Sequence, residues 1–118
     1  MNAGEKRKSR VLRQQRVRAR VRGTNERPRI CVYRSNRHMY VQVISDESGQ
    51  TLAAASTLRH EGIGATSNRA AARRLGERIG QLCLDRNIQR VVFDRNGFLF
   101  HGRVKELAEG ARTAGLKF

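Results

Sequence analysis

Arg29-Ile30-Cys31-Val32-Tyr33-Arg34-Ser35-Asn36-Arg37-His38-Met39-Tyr40-Val41-Gln42-Val43-Ile44 is the stretch on which the fold turns. Ile30 to Tyr33 is β-branched and aromatic on both faces, as suits a buried strand. Ser35-Asn36-Arg37 has the chemistry of a tight turn. Met39, Val41 and Val43 then alternate with Tyr40, Gln42 and Ile44, which reads as the second strand of a hairpin. Asp46-Glu47-Ser48-Gly49 turns the chain again, and Thr51 to Thr57 follows as a third strand. The alanines there would let a helix approach closely, although alanine-rich chain can equally be helical.

Downstream the period changes from two to 3.6. Leu58 to Ser67 reads as a flexible connection, because Gly62-Ile63-Gly64 lacks the Lys-Ser/Thr ending of a phosphate-binding loop. Ser67 or Asn68 can cap a helix whose apolar stripe is Ala72, Leu75, Ile79, Leu82 and Cys83, with Asn87 as its stop. Gly76 and Gly80 weaken that helix and suggest close packing on the sheet. Val91-Val92-Phe93 is a short buried strand turned by Asp94-Arg95-Asn96-Gly97. A last helix carries Val104, Leu107, Ala108 and Ala111 on one face and stops at Gly115. The order is βββαβα, an α/β fold with a mixed sheet and helices packed on it. A right-handed crossover makes strand four parallel to strands one and three.

Upstream lies a different polymer. Thirteen of the 25 Lys and Arg residues fall in the first 37 positions, against only Glu5 and Glu26. That stretch therefore holds about eleven of the fifteen formal positive charges. Such a chain repels itself until a dense polyanion neutralises it, and RNA or DNA is the commonest one. In a helix, Arg13, Arg16 and Arg20 would align on one side and Arg18 and Arg22 on another. No apolar stripe is left to dock, so alone the tail should be marginal or disordered and should order on its partner. Residues 1–27 are thus expected to form a basic extension and 28–118 the globular domain.

No run of apolar residues is long enough for a membrane span, and no signal-peptide pattern follows the basic start, which points to an intracellular protein. Cys31 and Cys83 sit in apolar patterns and read as reduced core thiols. His38, His60 and His101 are too scattered for metal-ligand spacing. No cofactor, metal or small-molecule substrate is indicated.

Three stretches carry a resemblance: Val32 to Tyr40, Asn68 to Ala71, and Val92 to Lys105. With the terminal Ala114-Gly115-Leu116-Lys117-Phe118, they resemble the bacterial large-subunit ribosomal protein family L18, over the whole chain. The third is the most specific, fourteen positions with a distinctive order of turn, aromatics, His and Gly. The family often has Gly where Asn96 stands and Tyr where Phe98 or Phe100 stands, which leaves these two rings without a hydroxyl. The resemblance implies a cytoplasmic ribosomal protein that binds 5S rRNA and helps attach it to the central protuberance. It further implies a tail reaching into 23S rRNA and contacts with neighbouring large-subunit proteins.

The expected RNA contacts follow from side-chain chemistry. In the tail they are Lys6, Arg7, Lys8, Arg10, Arg13, Arg16, Arg18, Arg20 and Arg22. At the hairpin tip Arg34 and Arg37 suit phosphates, Ser35 and Asn36 suit ribose and backbone, and His38 and Tyr40 flank them. In the third stretch the expected contacts are Arg95, Asn96, Phe98, Phe100, His101 and Arg103. Phe98 and Phe100 suit the core first and base stacking second. Asp94 reads as turn architecture. Two other classes compete. A ribonuclease-H-like nuclease shares the strand order, but strand one has no acid and Asp94 has no visible partner carboxylate, so no catalytic residue is assigned. A nucleoid or regulatory protein binding nucleic acid without selectivity is the alternative.

Overall fold

The computed structural model describes residues 3–20, 22–35, 38–57 and 69–118. Side chains in the first segment are described from residue 7 to residue 16. The turn residues Asn36 and Arg37, the Leu58–Ser67 connection and the Ser67 and Asn68 caps lie outside the described residues.

Seven elements follow one another: α1 (Ala3–Arg20), β1 (Arg29–Arg34), β2 (Met39–Ser45), β3 (Gln50–Ser56), α2 (Arg69–Asp85), β4 (Val92–Asp94) and α3 (Gly102–Ala114). The sheet order is β3-β2-β1-β4. β1 pairs antiparallel with β2 and parallel with β4, and β2 pairs antiparallel with β3. The βββαβα order and the parallel fourth strand agree with the periodicities. Between Val43 and Ile44 the β2–β3 register shifts, a bulge that the sequence does not announce.

One sheet face meets both helices. Ile30, Val32, Val41 and Val43 pack with Leu75, Ile79 and Cys83 of α2 and Leu107 and Ala111 of α3 in one continuous core. A fully buried side chain of this size contributes about 1.5–3 kcal/mol. The glycines of α2 serve a contact other than the expected one. A Cβ on Gly76 would fall on the Leu107 carbonyl oxygen, and one on Gly80 would sit 2.6 Å from Ala114 Cβ. Gly110 of α3 answers them, since its Cβ would fall on the Arg73 carbonyl oxygen. The close approach is helix on helix, not helix on sheet. Asn87 stops α2 in the left-handed region at φ 62°, and Gly115 stops α3 at φ 123°.

The other sheet face corrects the reading of β1 as apolar on both sides. Tyr33 pairs with Tyr40, which pairs with Ser56, and Cys31 pairs with Gln42, which pairs with Ala54. Tyr33 is 48% exposed, and Gln42 and Ala54 are exposed too. Cys31 is therefore half-buried on this face, not in the core, while Cys83 is buried and its thiol is pushed up to about 11 by desolvation. The two cysteines form no disulfide with each other.

At the edge of that face lies an ion cluster. Arg29 donates from Nε and Nη2 to Asp46 at 3.1 and 3.0 Å, and from Nη1 to Asp94 at 2.7 Å. Asp94 is fully buried, so the pair is desolvated as well as bonded. Asp46 also accepts the Gly23 amide at 2.6 Å, and Asp46 N donates to the Gly23 carbonyl at 3.1 Å. The chain is thus held to the sheet from Gly23 onward.

Removing one member of a buried pair typically costs about 3–5 kcal/mol, because the other charge stays behind. Arg29→Met should lower unfolding free energy by that amount in urea titration. A loss under about 1 kcal/mol would mean that the cluster is a surface ornament. Hydrogen bonds from Arg29 hold the Asp46 carboxyl below its ordinary range, against the opposing effect of its partial burial. A depressed carboxylate stabilises the fold above its unfolded pKa of about 3.9 and loses that contribution as pH falls through the folded value. Stability should therefore drop on acidification below about pH 4, and Asp46→Asn should flatten that limb of the profile.

Candidate RNA interface

The Asp94–Gly97 turn is built by its own side chains. Asp94 Oδ1 accepts the Asn96 amide at 2.8 Å, and Phe98 N donates to the Arg95 carbonyl at 3.0 Å. Asn96 lies at φ 53° and Gly97 at φ 77°, so the chain runs left-handed for two residues. Asn is among the few non-glycine residues that accept this region.

α1 docks on that turn through polar contacts, without the apolar stripe that its sequence lacks. Arg13 Nε donates to the Gly97 carbonyl at 2.8 Å, and Gln14 Nε2 donates to Asn96 Oδ1. A Cβ on Gly97 would fall on the Arg10 carbonyl oxygen and lie 2.7 Å from Gln14 N. The attachment is polar and backbone-close, so it leaves no apolar stripe in the sequence. Below it, Phe98 is 8% exposed, with the Arg10 guanidinium 5.0 Å and the Arg34 guanidinium 5.1 Å from its ring centroid. Tyr33 meets Phe98 edge-on at 6.1 Å and lies tilted against Tyr40 at 6.0 Å.

These contacts gather residues far apart in sequence at one end of the sheet. Arg103, opening α3, points Nη1 toward the Ser35 carbonyl at 3.5 Å. The hairpin neck is closed by Ser35 N to the His38 carbonyl at 2.8 Å and by His38 N to Ser35 Oγ at 3.2 Å. His38 Nδ1 lies 3.3 Å from Thr57 Oγ1. The Arg34 guanidinium is pushed down from its ordinary value, first by burial and then by the charge of Arg103. Its Nε is buried without a hydrogen-bond partner among the described residues. An arginine does not deprotonate, so two like charges act on each other here, with the Arg34 guanidinium over the Phe98 ring.

The other candidates divide by exposure. Arg7, Lys8, Arg16 and Arg22 are exposed along the basic segment; Arg10 and Arg13 are half-buried against the turn. Lys6, Arg18 and Arg20 lie in α1 with side chains outside the described set, and Asn36 and Arg37 lie outside it entirely. Phe100 and His101 are exposed, with Phe100 edge-on to Phe93 at 5.8 Å. Arg95 is half-buried and donates to the Phe98 carbonyl of its own turn at 2.9 Å. Asn96 and Phe98 are buried beneath α1, so a ligand reaches them only when that helix is off. Tyr33 was not among the candidates. Its alternation with Val32 was the available signal, overridden by the all-apolar look of the strand.

The family model for ribosomal L18 of archaea, bacteria, mitochondria and chloroplast matches residues 4–118. The chain belongs to the ribosomal L18 family. Among its relatives, the large ribosomal subunit protein uL18 of Syntrophotalea carbinolica is 54% identical over the full length of both chains. That of Desulforapulum autotrophicum is 55% identical over 93% of each. That of Thermotoga petrophila is 52% identical, covering 96% of this chain and 95% of its own. L18 membership makes the chain a structural constituent of the large subunit of the cytoplasmic ribosome and not an enzyme. The structure supplies a reason against hydrolysis: Asp46 and Asp94 do come together, but on the guanidinium of Arg29, which occupies the oxygens a metal ion would need.

If Gly97 allows α1 to dock, Gly97→Ala should release it. An Ala at a left-handed position costs about 1–2 kcal/mol even without the clash. Tryptic cleavage between Arg7 and Arg16, which follows the open population, should then speed up about fivefold or more. Unchanged cleavage would mean that α1 is not held by this turn.

Proposed function

We propose that the chain binds 5S rRNA and attaches it to 23S rRNA in the central protuberance. The globular end formed by Arg34, Ser35, His38, Tyr40, Arg95, Phe100, His101 and Arg103 selects the 5S partner. Asn36 and Arg37 are proposed to extend that surface, and the cations of α1 to add affinity that is largely independent of sequence. Asn96 and Phe98 join the interface if RNA displaces α1 from the turn.

The observation that carries this reading is the mutual repulsion of Arg34 and Arg103, with Arg34 over Phe98 and Phe98 against the exposed Tyr33. Guanidinium groups that repel each other, one of them partly desolvated with an unbonded nitrogen, are stabilised together by a polyanion. The exposed tyrosine beside them offers a stacking surface for an unpaired base, or an edge for a shallow RNA groove. Family membership supports an rRNA partner within the large subunit.

Losing a charged hydrogen bond costs about 1.5–3 kcal/mol, which is about tenfold or more in affinity. Arg34→Gln and Arg103→Gln should each weaken 5S rRNA binding by that factor in filter binding. Arg112→Gln, on the far end of α3, should change it by less than about twofold. Equal weakening toward an unrelated RNA of the same length would point to a non-selective binder instead.

A further inference from the structure

The strand ends opposite the hairpin tip hold a second cationic site. An open groove of about 410 Å³ lies where β1 and β4 begin, lined by Arg22, Thr24, Glu26, Arg27, Arg90 and Val92. That volume is within the range of a small-ligand site, about 300–1,000 Å³. Its walls are fixed. Thr24 N donates to the Arg27 carbonyl at 2.9 Å, Val92 N donates to the Pro28 carbonyl at 2.9 Å, and Arg90 bridges to Lys117 in the C-terminal segment. Arg22, Arg27 and Arg90 are all exposed. None of the three forms a side-chain hydrogen bond or ion pair among the described residues, whereas Arg29, Arg73, Arg95 and Arg112 are all engaged. Arg22 senses only the more distant charge of Asp46.

We infer that this groove is a second RNA-binding site, taking the sugar-phosphate backbone of an RNA segment other than the one held at the hairpin end. Three uncommitted guanidinium groups around one concavity suit phosphate oxygens. Thr24 Oγ1 accepts the Arg27 amide at 3.0 Å, which leaves its O–H free to donate to a phosphate. Glu26 adds an acceptor to the rim, which a ribose 2′-hydroxyl satisfies and an acidic peptide does not. β1 has six residues, and at about 3.3 Å each the two cationic poles stand roughly 20 Å apart. A single backbone phosphate run cannot sit in both without following the whole strand length. The fold therefore works as a strut between two RNA segments. This rests on the reading that the hairpin end takes 5S rRNA, and it assigns the opposite end, with Arg27 and Arg90, to the second RNA.

The test uses the full chain carrying Arg27→Gln and Arg90→Gln together, both at exposed positions. 5S rRNA affinity is measured first across a salt series. An unrelated RNA hairpin is then titrated into protein saturated with 5S rRNA. Each lost phosphate contact removes about 0.7–0.9 from the slope of log affinity against log salt. The double variant should bind the hairpin about tenfold or more weakly, with that slope flatter by about 1–2. Its 5S rRNA affinity should change by less than about threefold. Uptake of the hairpin equal to the parent's, a parent complex that takes up none, or a matching fall in 5S affinity would each overturn the second site. Failure of the hairpin-end reading would show separately, as no preference of the parent for 5S rRNA over the hairpin. Loss of hairpin affinity in the double variant would then still support the groove.

Discussion

Arg29 is the junction on which both ends of the molecule depend. Its guanidinium joins Asp46, just past β2, to Asp94, which ends β4, and so locks three strands at one edge of the sheet. Asp46 in turn holds Gly23 and fixes the start of the segment that lines the Arg22–Arg90 groove. Asp94 in turn holds the Asn96 amide and fixes the turn that carries Gly97, α1 and Phe98. A buried ion pair is weak evidence for net stability, since apolar residues of equal volume often serve as well. Its value here is positional. A methionine could fill the space, but it could not set two distant polar loops with one side chain.

The charge left over is distributed with purpose. Inside, Arg29 is neutralised twice; along α2 and α3, Arg73 and Arg112 pair with Glu77, Glu106 and Glu109 on the surface. At the hairpin end Arg34 and Arg103 sit close with aromatic faces for company, and α1 adds Arg10 to the same ring. In water this crowding costs stability. Against a phosphate backbone the same crowding becomes affinity, and it also makes binding steeply dependent on salt. α1 stands between the two conditions. It is tied to the turn by two side-chain hydrogen bonds and a glycine-permitted contact, and much of its cationic surface still faces solvent.

Much of this was legible in the residues, for identifiable reasons. Alternation in Met39–Ile44 and the 3.6 period of Ala72–Cys83 each express a single element against a single core, so the order of elements along the chain and the parallel β4 followed. What could not be read were contacts between elements. Nothing local in Arg29, Asp46 or Asp94 says that they converge, because their meeting depends on β4 lying beside β1. Gly76 and Gly80 announced a close approach but not its partner, which proved to be α3 and not the sheet. α1 docks through a backbone-close glycine and two polar side chains, a mode that hydrophobic periodicity cannot detect. Tyr33 was hidden by composition: a strand apolar on both sides looks buried on both sides, and only the fold shows that one side is open.

The central claim is that the open sheet face and its hairpin end receive 5S rRNA while the helical face does not. Ultraviolet cross-linking of the protein–5S rRNA complex, read by mass spectrometry of nucleotide-bearing peptides, tests this most directly. Cross-links are predicted in residues 29–45, around Tyr33 and Tyr40, and in residues 95–103, around Phe100. Cross-links confined to α2 and α3, with both of those segments clean, would contradict it.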